Sequence, residues 1–314
     1  MRFLKASLAG VLALGFQVAA YAQSNWYPSK WGPTDEIGSA NYLTPERALQ
    51  ASKLVKTGKT YSLGITVNTT TPAFPPRTCS IYIVQPGQVG SADGLGHTHT
   101  TYNDDILNCW TGIGTQLDGL GHIGVGEIYY NGNKWSDFAT MNGLKKLGAH
   151  KVPPMVTRGI MLDMAGYYGV DVVKEGTAYN RAEIDAAAKR QGLEIREGDV
   201  VIFHSGWMNI LDKDPKRWGS VEPGLGREGA KYLVSKGVVA VGADTWAVEA
   251  IPFEQGAGVF EVHQILLPMS GTYILENINT LELAKDKAYE FMFVLGQNKY
   301  EGSVQSMINP IAIR

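Results

Sequence analysis

The sequence predicts a single mixed α/β domain behind a cleavable export signal, and three observations lead there. Short apolar runs rich in Val, Ile and Phe at 199–204, 238–242 and 289–295 have the pattern of buried strands. Residues 226–236, between the first two runs, read as a helix, so strand and helix alternate. No internal repeat, low-complexity linker or composition break follows residue 22, and 314 residues at 44% hydrophobic and 18% charged content suit one large core or two smaller ones, of which one domain is the economical reading.

Taken in chain order, residues 1–22 carry Arg2 and Lys5, then an apolar stretch from Ala6 to Ala20, and close on Ala20-Tyr21-Ala22. Small residues three and one positions before the cut predict a secretory signal cleaved after Ala22, and about 15 apolar residues fall short of the ~20 that a bilayer span needs. The domain proper is then 23–314, secreted or periplasmic, with no membrane span. After an irregular Trp-, Pro- and Gly-rich segment, Thr44 can cap a helix with Pro45 in its first position, running to about Val55. Residues 61–67 alternate as a strand, and the Pro- and Thr-rich stretch 69–76 reads as a loop or sheet edge. Asn180-Arg181-Ala182-Glu183 forms a capping box that opens a helix over 184–191, which Gly192 stops. Glycines concentrate in 86–148 and 219–258, which predicts long shaped loops where a binding site can sit.

Several classes are excluded. A net charge of -2, with no basic run longer than Lys145-Lys146, offers no footprint for nucleic acid. Two cysteines build neither a disulfide framework nor a four-thiolate zinc site, and in an oxidising space Cys79 and Cys109 either pair or remain buried thiols. Gly224-Leu225-Gly226-Arg227-Glu228-Gly229 matches the dinucleotide fingerprint, but Ser220-Val221-Glu222-Pro223 precedes it where an apolar strand is required. No Gly-x-Ser-x-Gly, phosphate loop or His-Glu-x-x-His occurs.

The six histidines carry the remaining signal. Gly112-Ile113-Gly114-Thr115-Gln116-Leu117-Asp118-Gly119-Leu120-Gly121-His122 sets an amide, a carboxylate and an imidazole in a glycine-rich frame, and residues two and four apart in an extended chain share a face. His263 and Glu276 supply another imidazole and carboxylate in apolar company, where an ionised carboxylate is costly unless paired or metal-bound. These residue types suit a metal site, but a lone Asp in a glycine-rich loop is more usually a turn residue and a lone His near aliphatic residues more usually a satisfied core or surface side chain. His97 and His99 alternate in Gly94-Leu95-Gly96-His97-Thr98-His99, as a ligand pair, as substrate contacts or as a solvated loop. His204 and Trp207, at the end of a buried strand, are placed for a site rim or for packing.

These segments, in their order, resemble the cyclase-like metal-dependent hydrolases, the family of bacterial kynurenine formamidase and isatin hydrolase. The match comprises Gly114-Thr115-Gln116-Leu117-Asp118 with His122, Tyr130-Asn131-Gly132, Arg158 through Asp163, Gly198-Asp199-Val200-Val201-Ile202, Ser205-Gly206-Trp207, Gly242-Ala243-Asp244-Thr245, His263 through Leu267, and Leu275-Glu276-Asn277. The resemblance implies a central mixed or barrel-like sheet with flanking helices (the swivelling β/β/α fold), a homo-oligomer (dimer or tetramer), and hydrolysis of an amide, lactam or ester bond in a small cyclic or aromatic substrate. Its best-known members carry two histidines where this chain has Gly112 and Gln116, which places this sequence in the branch with Gly-Thr-Gln-x-Asp.

One divalent ion, Zn or Mn, is therefore expected, held by Asp118, His263 and Glu276 with the Gln116 oxygen or an imidazole completing the shell. His122 is implied as the catalytic proton carrier. His97, His99, His204 and Trp207 are the expected substrate contacts. Two rival readings remain: a lyase or dehydratase on the same scaffold, and a non-catalytic periplasmic small-molecule-binding protein.

Overall fold

The structure, a computed structural model, describes residues 26–85 and 94–314, and the expected signal at 1–22 lies outside the described residues. Local chemistry accounts for the first helix. Thr44 accepts the Arg47 amide at 3.3 Å and Pro45 takes the first helical position of α1 (Pro45–Ser52). The helix stops short of Val55 because the amides of Lys53, Leu54 and Val55 bond three residues back instead of four. β1 (Thr60–Ser62) is shorter than the predicted 61–67 for a different reason: beyond Ser62 the backbone finds partners off the ladder, Gly64 N–H on Asn309 Oδ1 and Ile65 N–H on Thr115 Oγ1.

β2 (Cys79–Val84) and β3 (Asp104–Cys109) form a separate antiparallel ribbon, and Cys79 is joined to Cys109 across it by a disulfide. The main sheet contains β1, β4 (Gln116–Asp118), β5 (Met155–Asp163), β6 (Val200–His204), β7 (Ala240–Ala243), β8 (Tyr273–Glu276), β9 (Glu290–Leu295), β10 (Gln305–Met307) and β11 (Ile311–Ile313). Their order across the sheet is β1-β11-β9-β5-β6-β7-β8-β4-β10. β5 to β8 run parallel to one another and the outer pairings are antiparallel. This is the expected mixed sheet, curled into a half-barrel with helices on its flanks.

The parallel centre explains the continuous apolar runs. Val200, Val201, Ile202 and Phe203 of β6 are all at most 1% exposed, because both faces of a parallel strand are covered. α2 (Arg181–Gln191) begins where Glu183 accepts the Asn180 amide at 2.9 Å, and it ends at Gly192, left-handed at φ 69°. α3 (Arg227–Ser235) follows the glycine triplet, and α4 (Glu261–Leu266) precedes β8. A Cβ on Gly224 or Gly229 would lie 2.5 Å or less from backbone atoms of Val248, Glu249 or Tyr179, so close packing accounts for those glycines.

Two motifs of the family resemblance are scaffold here. Arg158 on β5 grips Asp199 with two hydrogen bonds, Nε to Oδ1 at 2.8 Å and Nη2 to Oδ2 at 2.6 Å, fixing β5 against the start of β6. Past the end of β7, Asp244 accepts from the Ser205 amide and hydroxyl at 2.9 and 2.6 Å and from the Trp207 amide at 3.1 Å, which fixes the turn after β6. Among the described residues no helix is long and apolar enough to cross a membrane.

Candidate metal centre

Strand pairing assembles the site. In β4 the side chains of Gln116 and Asp118 share a face, while Leu117 points into the core at 0% exposure. On one edge of β4, Glu276 of β8 sits opposite Gln116, and Gln116 Nε2 donates to Glu276 Oε2 at 2.5 Å. On the other edge, Gln305 of β10 sits opposite Asp118, and its Nε2 donates to Asp118 Oδ1 at 2.6 Å. α4 delivers His263, whose Nε2 lies 3.2 Å from Glu276 Oε1 and 3.9 Å from Asp118 Oδ2. Asp118, His263 and Glu276 thus each offer a ligand atom within 4.8 Å of the others, and all three are buried.

Glu249 holds that imidazole in place. Its Oε1 lies 2.6 Å from His263 Nδ1 and accepts the His263 amide at 3.2 Å, while Oε2 accepts the Val262 amide at 3.4 Å. One carboxylate thereby steadies the first turn of α4 and turns Nε2 toward the two acids. His122 completes the group, with Nε2 at 3.9 Å from Asp118 Oδ2 and 17% of its side chain exposed.

The electrostatics follow from crowding acids in a dry place. Burial first, and the Asp118 charge second, push the Glu276 carboxyl up to about 7. Burial by itself would lower His263, but its hydrogen bonds to Glu249 and Glu276 outweigh that and lift it to about 10. His122 is pulled down by burial, against the opposing pull of Asp118, and so stands as a neutral imidazole at pH 7.

Two buried oxygens of this cluster, Asp118 Oδ2 and Gln116 Oε1, have no hydrogen-bond partner among the described residues. Stranding a carboxylate oxygen costs more than any single protein hydrogen bond returns, so a cation is the fitting partner for it. The donor set is nitrogen and oxygen without thiolate, which suits a divalent metal ion.

A cavity of about 240 Å³ opens above the cluster, with His122, His263 and Glu276 in its lining and Phe74, Arg77, Trp246 and Phe260 around them. The structure therefore brings together Gln116, Asp118, His122, His263 and Glu276. It puts the other expected contacts elsewhere. His97 and His99 are exposed on a turn at 96–98 beyond the β2–β3 ribbon. His204 Nδ1 pairs with Thr280 Oγ1 at 2.7 Å, and its ring borders a different, open cavity. Trp207 is fully buried in a small cluster with Trp218, to whose carbonyl its indole N–H donates at 3.2 Å.

Glu249, Gln305 and Arg77 lie outside the motifs that the sequence displays. Glu249 sits in Ala247-Val248-Glu249-Ala250, and the rule that marked Glu276, a carboxylate in apolar company, applies to it unchanged. Gln305 and Arg77 carry no such local mark.

The family model described as "Putative cyclase" matches residues 61–250. Among solved structures, one described as a novel cyclase is 31% identical, with a TM-score of 0.82 over 91% of this chain and 96% of its own. Isatin hydrolase A from Ralstonia solanacearum is 17% identical, with a TM-score of 0.60 over 87% of this chain and 98% of its own. A potential metal-dependent hydrolase with cyclase activity is 15% identical, with a TM-score of 0.52 over 81% of this chain and 98% of its own. The last two share the fold. No curated protein matches.

Proposed function

This chain belongs to the cyclase family, and from that premise we propose that it is an exported, metal-dependent hydrolase cleaving an amide, lactam or ester bond in a small cyclic or aromatic substrate. The observation that carries the reading is the stranded Asp118 Oδ2, buried beside His263 Nε2 and Glu276. Asp118, His263 and Glu276 would hold one divalent ion, Zn or Mn, with Gln116 Oε1 available to complete the shell. Such an ion supplies Lewis acidity, which acidifies water and polarises a scissile carbonyl. Solved relatives named as isatin hydrolases share the fold, which supports the reaction class.

The chain's own residues then divide the work. His122, kept neutral by partial desolvation, accepts at Nε2 the proton of the attacking water and returns it to the leaving amine or alcohol. Glu249 keeps His263 Nε2 aimed at the acids. The aromatic walls of the cavity exclude water and take a flat substrate, so in this reading substrate contact falls to them rather than to His97, His99, His204 and Trp207.

Export is part of the proposal, supported by the segment 1–22 and by a disulfide, which persists in an oxidising compartment. So is a homo-oligomer, a dimer or tetramer: Ile81, Tyr82, Ile83, Ile106 and Leu107 are all about half exposed or more on the β2–β3 ribbon, an apolar surface that a second copy can cover.

The test is metal analysis of the purified protein and of its Asp118→Ala and Glu276→Ala variants, with hydrolysis of lactams, formanilides and aryl esters followed in oxygen-18 water. About one ion per chain, lost in both variants, with label in the product, is expected. Product without label points to a lyase. Absence of metal even after reconstitution removes the hydrolase and leaves a binding protein.

A further inference from the structure

The cavity above the metal cluster contains a cation that the chemistry so far does not use. Arg77 lines it beside His122 and Glu276, and among the described residues it makes no ion pair. Its one hydrogen bond there runs from Nη1 to the Gly112 carbonyl oxygen at 2.7 Å, and its guanidinium carbon stands 6.0 Å from the Phe74 ring centroid. Most of a fork of five N–H donors has no acceptor among the described residues. The room for it comes from a glycine: a Cβ on Gly112 would meet Arg77 Nη1 and Gln305 Oε1 at 2.7 Å, so any side chain at 112 would displace the guanidinium or the amide.

The walls beside Arg77 are flat and apolar. Trp246 stacks on Phe74 with centroids 5.7 Å apart and an interplanar angle of 27°. Phe260 meets Phe74 and the His263 ring edge-on, at 6.2 and 5.2 Å. A volume of about 240 Å³ is small for a binding pocket and suits a molecule of one or two rings. A planar fork at the rim of a ring-lined cavity matches a planar, bidentate anion.

We propose that Arg77 is the specificity-determining residue of this cavity and that the substrate is a small aromatic compound carrying its own carboxylate, gripped by Arg77 with its ring against Phe74 and Trp246. The inference rests on the hydrolase reading for the bond cleavage after binding, whereas the binding itself is measured without turnover.

The experiment titrates metal-loaded protein with benzoate and with benzamide, following tryptophan fluorescence, for the parent, Arg77→Gln and Arg77→Lys, with melting curves to show that each variant folds. The parent is expected to bind benzoate at least about tenfold more tightly than benzamide, the size of one charge-assisted hydrogen bond. That preference should vanish in Arg77→Gln, through loss of benzoate affinity, and return in part with Arg77→Lys, which keeps the charge and loses the fork. Equal affinities in the parent, no binding of benzoate, or a preference that survives Arg77→Gln overturns the proposal; in the last case the metal site itself takes the carboxylate. Hydrolysis of monomethyl against dimethyl phthalate separates the two readings. Equal turnover of both keeps the hydrolase and removes the role of Arg77, whereas Arg77-dependent benzoate binding with no ester, lactam or anilide hydrolysed removes the hydrolase alone.

Discussion

Replacing Glu276 by Gln should stabilise the metal-free protein while weakening its hold on metal. The folded carboxyl titrates at about 7 against an ordinary 4.5, a net effect that already includes the opposing attraction of His263. Between those pH values the folded state binds more protons than the unfolded one, so stability falls as pH rises through the window, and the whole cost is present above about pH 7. A gap of about 2.5 pH units, at ~1.4 kcal/mol each, makes that cost roughly 3 kcal/mol for the metal-free chain. Gln has the same shape, and its Oε1 can still accept from Gln116 Nε2, but it brings no charge into the core. Metal-free Glu276→Gln is therefore expected to melt about 5 °C above the metal-free parent at pH 8, with the difference shrinking to nothing near pH 4.5. Added Zn or Mn should reverse the order, because binding at 100 to 1,000 times Kd contributes about 3 to 4 kcal/mol to the parent and far less to a site short of a carboxylate. Circular-dichroism melts in chelator and in metal, from pH 5 to 8, measure both effects. A metal-free variant that melts no higher than the parent at pH 8, or a gap that ignores pH, refutes the burial argument. Equal stabilisation of both proteins by metal refutes Glu276 as a ligand.

Glu249→Gln keeps an acceptor for His263 but removes its charge, so metal affinity measured by competition with a chromophoric chelator should fall about tenfold while the metal-free melting temperature moves little. An unchanged affinity would mean that Glu249 only caps α4. Metal binding at pH 8 should release close to one proton, because His263 titrates at about 10 and must give up its Nε2 proton, and more should be released below pH 7 as Glu276 joins. Calorimetry in two buffers of different ionisation heat counts them, and a pH-independent count of zero would contradict the ligand set. Reducing Cys79–Cys109, which closes a separation of 30 residues, should cost about 3 to 4 kcal/mol on the loop-entropy account. Activity should fall along with stability, since Arg77 lies two residues from the bridge; an unaltered melting curve under reductant would argue against both.

The parts of the fold that local chemistry decides are the parts the sequence displays. Thr44-Pro45 starts α1, Gly192 ends α2, and the fully apolar Val200–Phe203 run occupies the centre of the parallel sheet, because capping, left-handed glycine and two-faced burial each leave a residue-level trace. The two-residue period of an extended chain puts Gln116 and Asp118 on one face, and the structure has them so. The rest of the centre is a product of strand order. Gln305 reaches Asp118 from 187 residues away only because β10 lies on the free edge of β4, and no pattern near Gln305 carries that information. Arg77 arrives from the segment before the ribbon through the gap at Gly112, a contact between two glycine- and proline-rich stretches with no period to read. Periodicity misleads for His97 and His99: their spacing suits one face of an extended loop, but His99 is left-handed at φ 54° and closes a tight turn.

Where a structure departs from the rules that folded it is where function has to be sought. Nine buried side-chain polar atoms lack a partner among the described residues, and most are indole, hydroxyl or amide groups, whose stranding costs only a few kcal/mol each. Asp118 Oδ2 differs in kind, since it is the one carboxylate oxygen among them and it faces a second buried acid. A sheet built to bury Leu117 has no packing use for two acids on the opposite face of the same short strand pair. In the metal-free protein a proton on His263 is what keeps Asp118, Glu249 and Glu276 compatible, and that proton sits on the nitrogen best placed to hold a metal. The metal-free cluster is therefore arranged around a positive charge, and a divalent ion would satisfy the stranded oxygen where a proton on His263 does not.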